Sequence, residues 1–284
     1  MKYGLDVINA WSKRNDVENA SRFILDLGVA ADEAGWDGFF LWDHIVFPWP
    51  VDLVDPWTAL AAIGGMTRRI RLGTFVTPLP RRRPQVLARQ LVTIDQITGG
   101  RAVLGVGLGG QDIDYTSFGE EFDSGLLAEK TDEALQVLTG LWSGESFSFE
   151  GRHYSVRDAL ILPRPVQRPR IPIWVGGTSR GAIRRASRYD GWVMAGPRPS
   201  AGEYDDGGLS LAQVSEALGN IRELRGEGPF DVVYSLDLPE ERSQAEALAE
   251  RAEATGVTWM CESIFGMRYS GEEALRRVRE GPPG

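Results

Sequence analysis

Apolar positions along this chain fall into two alternating patterns. Short runs with little polar interruption, such as Gly38-Phe39-Phe40-Leu41-Trp42, have strand length. Longer segments carry apolar residues at helical spacing. Glu18 to Ala34 places Phe23, Leu27, Ala30, Ala31 and Ala34 on one face, and Gly35 closes it as a helix C-cap would. The predicted order opens with strand Tyr3 to Asn9, that helix, and strand Gly38 to Asp43. A helix follows from Pro56 to Met66 behind an Asp55 N-cap. Then come strand Ile70 to Thr77, helix Pro84 to Ile97, strand Ala102 to Leu108 and helix Ser124 to Trp142.

Strand and helix keep alternating in the second half. The predicted strands are Ile171 to Val175, Gly191 to Ala195, Phe230 to Leu238 and Val257 to Glu262. The helices between and after them are Ser179 to Ser187, Ser210 to Arg225, Glu240 to Ala254 and Gly271 to Arg279. About eight strand–helix units predict an α/β fold, a TIM (β/α)8 barrel forming a single domain over residues 1–284. An open doubly wound sheet is the alternative. Strands with little alternation suit a parallel sheet covered on both faces. One segment breaks the rhythm. Ser146 to Leu162 reads as a β-hairpin turning at Glu150-Gly151, an insertion over about 143–168 between the fourth helix and the fifth strand. Ala201 to Leu209 is polar and Gly-rich, which predicts a mobile loop.

Composition narrows the class. The net charge of -9 argues against nucleic acid and anionic membranes as partners. Cys261 is the single cysteine, so no internal disulfide forms and a reducing, cytoplasmic setting is expected. The N-terminal residues show no signal-peptide h-region, and no apolar run reaches the roughly 18–20 residues that span a bilayer. The partners expected are a small-molecule substrate and, at most, a second copy of the chain.

In a parallel barrel, chemistry sits where the strands end. His44, one of two histidines, falls at the end of the second strand beside Asp43. Imidazole exchanges protons near neutrality. A capped structural histidine is the competing reading, and adjacent strand side chains face opposite ways, so Asp43 need not partner His44. His153 falls in the hairpin and is not favoured. Val175-Gly176-Gly177-Thr178-Ser179 leads into a helix, an arrangement that suits either an anion or a tight turn. Gly105-Val106-Gly107-Leu108-Gly109-Gly110 lacks dinucleotide-loop spacing and is read as clearance for a flat ligand. Arg81-Arg82-Arg83 reads first as a solvated loop and second as an anion contact. No residues have metal-ligand spacing, and no serine-hydrolase elbow appears.

Taken in order, many short segments resemble the bacterial luciferase-like monooxygenase superfamily of flavin- and deazaflavin-dependent barrels. They include Ala34-Gly35-Trp36-Asp37-Gly38 with Asp43-His44, Ile70-Arg71-Leu72-Gly73-Thr74, Ile94 to Arg101 and Phe149-Glu150-Gly151-Arg152. Pro163-Arg164-Pro165-Val166-Gln167, Ile173-Trp174-Val175-Gly176-Gly177 and Asp190-Gly191-Trp192 continue the likeness, which covers nearly the whole chain. The resemblance implies an oxidoreductase that uses coenzyme F420, slightly favoured, or FMN, for hydride transfer or oxygen activation. It implies that His44 handles protons and that Asp43 lies near the polar edge of the ring. Thr74 and Phe75 match a bulge that contains a non-prolyl cis peptide and backs the ring. Gly105 and Gly107 match positions of cofactor clearance, and Gly176, Gly177 and Thr178 match a phosphate cradle. Trp11, Trp42, Trp49 and Trp259 are expected as pocket walls, with Glu262 as a polar partner. The sugar-phosphate dehydrogenases of that superfamily have a shorter His-to-Trp spacing and an acidic residue near Leu108, so that activity is not expected. A non-catalytic flavin-binding barrel is the alternative, and a barrel lyase or isomerase with a phosphate site is a third class.

Overall fold

The computed structural model describes residues 1–199 and 208–283. Most of the expected Ala201 to Leu209 loop therefore lies outside the described residues. Eight parallel strands close on themselves: β1 (Lys2–Val7), β2 (Gly38–Leu41), β3 (Arg71–Thr74), β4 (Ala102–Gly107), β5 (Ile173–Gly176), β6 (Gly191–Ala195), β7 (Asp231–Leu236) and β8 (Trp259–Ile264). Pairing of β8 with β1 and of β4 with β5 completes the ring, so no strand edge is left open. The helices are α1 (Ala20–Ala34), α2 (Pro56–Met66), α3 (Pro84–Thr98), the single turn α4 (Ile113–Thr116), α5 (Ser124–Leu141), α6 (Arg180–Ala186), α7 (Leu211–Arg225), α8 (Arg242–Ala254) and α9 (Gly271–Arg279). None among the described residues is long and apolar enough to cross a membrane.

The helix ends follow local chemistry. Asn19, Asp55, Asp123 and Ser179 each accept a backbone N–H of the first turn. Gly35 and Gly99 close α1 and α3 in the left-handed conformation.

Side-chain alternation divides the core in two. Outward residues such as Leu5, Phe39, Leu41, Leu104, Ile173 and Met260 pack under the helices. Inward residues Phe40, Val103, Trp174, Val193, Val233, Trp259 and Cys261 fill the barrel. At the N-terminal end, the Asp231 carboxylate accepts the indole N–H of Trp174 (3.1 Å) and of Trp259 (3.0 Å). This satisfied aromatic layer plugs the barrel base, which leaves the mouth for chemistry.

Besides small shifts at strand ends, two local features at the mouth differ from the sequence reading. The third strand stops at Thr74 instead of running to Thr77, and the chain bulges before Thr77–Pro78 rejoins β4. Ala10–Trp11 also pairs antiparallel with Asp52–Leu53 at the mouth, through stretches too short to show periodicity. The hairpin is present, with Phe147–Glu150 against Ser155–Ala159. Glu133 on α5 holds its turn by accepting the N–H groups of Arg152, His153 and Tyr154 at 2.8, 2.8 and 3.0 Å.

Candidate active site

After β2 ends at Leu41, Trp42, Asp43 and His44 diverge. The Trp42 indole N–H donates to Asp6 at 2.7 Å, over the barrel mouth. Asp43 turns away and is fully buried. Arg81 donates to both its main-chain carbonyl and its carboxylate, and Arg82 donates to the carboxylate through Nε (3.1 Å) and Nη2. Arg81, 2% exposed, also lies 2.9 Å from Asp114. Arg81 and Arg82 therefore form a charge clamp, and only Arg83 of the run is exposed. The clamped carboxylates come from elements far away in the chain, which no local pattern reveals.

His44 takes its partner from α4. Its Nδ1 lies 2.6 Å from Asp114 Oδ2, while Asp114 Oδ1 accepts the N–H groups of Ile45 (2.8 Å) and Val46 (3.1 Å). Burial pushes the Asp114 carboxyl up. The hydrogen bonds from His44, Ile45 and Val46, with the Arg81 charge, outweigh burial and hold it at about 2. An ionised carboxylate only accepts hydrogen bonds, so the proton of this pair sits on His44 Nδ1. Nε2 is the ring nitrogen that this contact does not use. The ring rests between Trp42 and Phe47, with centroids at 5.6 and 5.4 Å.

Trp42 and Phe47 also line a cavity of about 540 Å³ at the barrel mouth, together with Asp6, Trp49, Arg198 and Phe265. This size is typical of ligand sites. Its floor is polar. Asp6 Oδ2 accepts from Ser235 Oγ (2.6 Å) and Arg198 Nη2 (2.7 Å), and Arg198 Nε donates to Ser263 Oγ at 2.9 Å. Burial raises the Asp6 carboxyl, against the lowering effect of Arg198 and the hydrogen bonds from Ser235 and Trp42.

None of the residues matched to cofactor binding lines this cavity, and several of them act on one another. Thr74 Oγ1 donates to the Gly105 carbonyl at 3.1 Å. Phe75 points into the barrel and stacks on Phe40, with centroids 4.1 Å apart and rings 6° from parallel. The Phe75–Val76 peptide is cis. A Cβ on Gly107 would lie 2.6 Å from Val76 Cγ2, and one on Gly176 would lie 2.9 Å from Val76 Cγ1. A Cβ on Gly105 would overlap the Thr74 carbonyl oxygen. The space expected for a flat ligand is thus occupied in part by the bulge itself, and Val76 is the residue that uses it. Gly105→Ala is expected to cost about 2 kcal/mol by overpacking, read as a shift in the urea midpoint. Gly177 and Thr178 are exposed on the rim, and Gly177 adopts φ +110°, which strains any side chain.

Of the expected pocket residues, Trp42 and Trp49 line the cavity. Trp11 is buried edge-on against Phe23 (4.8 Å). Trp259 belongs to the plug at the opposite end of the barrel. Glu262 points outward, where Arg277, Arg268 (3.1 Å) and the Tyr269 hydroxyl (3.1 Å) hold it under α9. Strand parity decides these cases. On β8 the inward positions are Trp259, Cys261 and Ser263, and only the last reaches the mouth. Asp6, Asp114, Arg198 and Val76 join the site only in the folded chain. Asp6 carried a signal, since a carboxylate in a strand covered on both faces requires buried partners.

A closed parallel barrel with a His44–Asp114 pair near an aromatic cavity at its C-terminal mouth has the layout of a ligand-binding barrel. The family description that matches residues 7–280 is luciferase-like monooxygenase, and the chain belongs to that family. An uncharacterized protein of Mycobacterium tuberculosis is 32% identical over 235 residues, covering 76% of this chain and 77% of that protein. An F420-dependent glucose-6-phosphate dehydrogenase of Microbacterium testaceum is 38% identical over 178 residues. That match covers 60% of this chain and 51% of the dehydrogenase, so the chain spans about half its length. In fold, monooxygenase RslO1 from Streptomyces bottropensis superposes with a TM-score of 0.79 at 22% identity, covering 98% of this chain and 97% of that one. This protein is accordingly a flavin- or F420-dependent oxidoreductase of the luciferase-like type.

Proposed function

We propose that the chain uses the deazaflavin F420, in preference to FMN, to transfer a hydride to or from a small organic substrate. The carrying observation is the 2.6 Å contact of His44 with Asp114 beside the aromatic cavity. Hydride transfer to a polar bond needs a proton partner, and this pair presents one nitrogen for that purpose. The F420-dependent relative supports the choice of cofactor, as does the Asp43-His44 pair at the end of β2. F420, when bound, supplies the hydride chemistry. The exposed rim at Gly177 and Thr178, next to the half-buried Gly176, suits its phosphate side, and the Phe75–Val76 bulge suits the back of a flat ring. Trp42, Trp49 and Phe265 exclude water from the reacting side. His44 Nε2 exchanges the proton.

Equilibrium titration with each cofactor tests the reading. F420 is expected to bind below about 100 μM, roughly -5.5 kcal/mol, and more tightly than FMN. Preference for FMN would move the protein to the flavin side of the family. Binding of neither would end the proposal.

A further inference from the structure

We propose that the base of the barrel holds a second binding site, at the opposite end from the mouth. Its ligand is a phosphate dianion, either free or as the terminal group of a phosphomonoester. The site and its test are independent of the cofactor reading.

A cavity of about 170 Å³ lies where β1, β2 and β3 begin. It has room for about six water molecules, or for a phosphate group with part of its hydration shell. Three cations from separate parts of the chain line it. Lys2 opens β1, Arg71 opens β3, and Arg69 stands in the turn between α2 and β3. Lys2 Nζ lies 4.9 Å from the centre of the Trp259 ring, and Trp36 forms a second aromatic wall. Arg69 Nη2 donates to the Asp32 carbonyl at 3.1 Å, near the end of α1, which fixes its guanidinium beside Gly35. Arg71 is half-buried, and its guanidinium makes no hydrogen bond among the described residues. None of the three cations enters an ion pair among those residues, although the chain carries a net charge of -9 and so has carboxylates to spare.

The nearby carboxylates do not cancel this charge. Asp37 also lines the cavity, and its Oδ2 accepts the Tyr3 N–H at 2.8 Å. Asp32 is taken up by the N–H groups of Arg68, Arg69 and Ile70. Asp231 is taken up by the two indole N–H groups of the plug. The lining therefore carries three positive charges against one negative. Like charges held together repel, and an anion of charge two relieves that repulsion where a monoanion relieves only half. The planar fork of Arg71 offers paired donors that match phosphate oxygens. Lys2 and Arg69 are exposed, so solvent screens them and sets the affinity in the millimolar range. The N-terminal face of such a barrel serves stability. A phosphate there ties together the starts of β1 and β3.

Phosphorus-31 NMR of inorganic phosphate and of methyl phosphate, each titrated against the full chain, tests the site. The titrations are run at about pH 8, where both are dianions, with ionic strength held by chloride. Saturable line broadening is expected, and equimolar acetate should not reverse it. Lys2→Met and Arg71→Met are each expected to weaken binding at least fivefold. Asp37→Asn should tighten it at least twofold, and Arg68→Met, outside the cavity, should leave it unchanged. Lys2 is exposed, so Lys2→Met carries the test should Arg71→Met fail to fold. Binding of methyl phosphate as tight as that of inorganic phosphate assigns the site to a phosphomonoester group, and binding of inorganic phosphate alone assigns it to the free ion. Three results overturn the inference: no saturable broadening, equal displacement by acetate, or binding that survives both substitutions. The last would place the phosphate elsewhere, such as the rim at Gly177 and Thr178.

Discussion

His44→Ala is expected to lower turnover about 10²- to 10⁴-fold while leaving F420 affinity within about threefold of the parent. Removing the imidazole removes the proton-exchanging nitrogen, but it touches neither the rim at Gly176, Gly177 and Thr178 nor the bulge at Phe75. The Asp114 carboxylate keeps Ile45, Val46 and Arg81, so the turn that follows β2 should persist. Steady-state kinetics with cofactor titration on the same preparation separates the two effects. A variant that turns over like the parent would make His44 a structural histidine and favour a non-catalytic, cofactor-binding barrel. Asp114→Asn gives a graded companion result. It frees Nδ1 from the fixed carboxylate acceptor, and it should reduce turnover less than loss of the ring does.

The largest stability effect is expected at Arg81. Its side chain is 2% exposed and lies against two carboxylates, Asp43 and Asp114, that are equally buried. Arg81→Met would leave both with less compensation, and removing one partner of a buried pair typically costs about 3–5 kcal/mol. The loss should depend on pH in a defined direction. In the parent, Asp114 falls from an ordinary 3.8 to about 2. Its ionised form therefore contributes stability above pH 3.8, and this contribution fades as pH falls towards 2. Without Arg81 part of that depression disappears. The gap between parent and variant should be widest near neutrality and narrow below about pH 4. Urea midpoints across that range measure it. A gap that widens on acidification would show that Arg81 stabilises the fold by packing instead of charge.

The strand–helix order was readable because it rests on local rules. The boundaries of α2 and α9 coincide with their predicted spans, since Asp55-Pro56 and Ser270-Gly271 are self-contained start signals. Thr74 to Thr77 keeps strand composition through the bulge, so composition alone extends β3 past its end at Thr74. What breaks the strand is the geometry of Phe75 and Val76 over Gly105, Gly107 and Gly176, three positions contributed by two other strands. Trp259 and Glu262 lie on a strand whose composition places its end near the mouth. Parity sends Glu262 outward, and the depth of Trp259 in the barrel sends it to the base.

Sequence alone determined that eight parallel strands alternate with helices, that the family is the luciferase-like one, and that His44 follows β2. Periodicity, capping and ordered motifs act within about twenty residues, and that range is enough for these features. Only the tertiary structure decided which groups meet. Asp114 reaches His44 across 70 positions of chain, and Arg198 reaches Asp6 across 192. Such pairs leave no local pattern, because their energy comes from burial and charge at a place that exists only once the barrel closes.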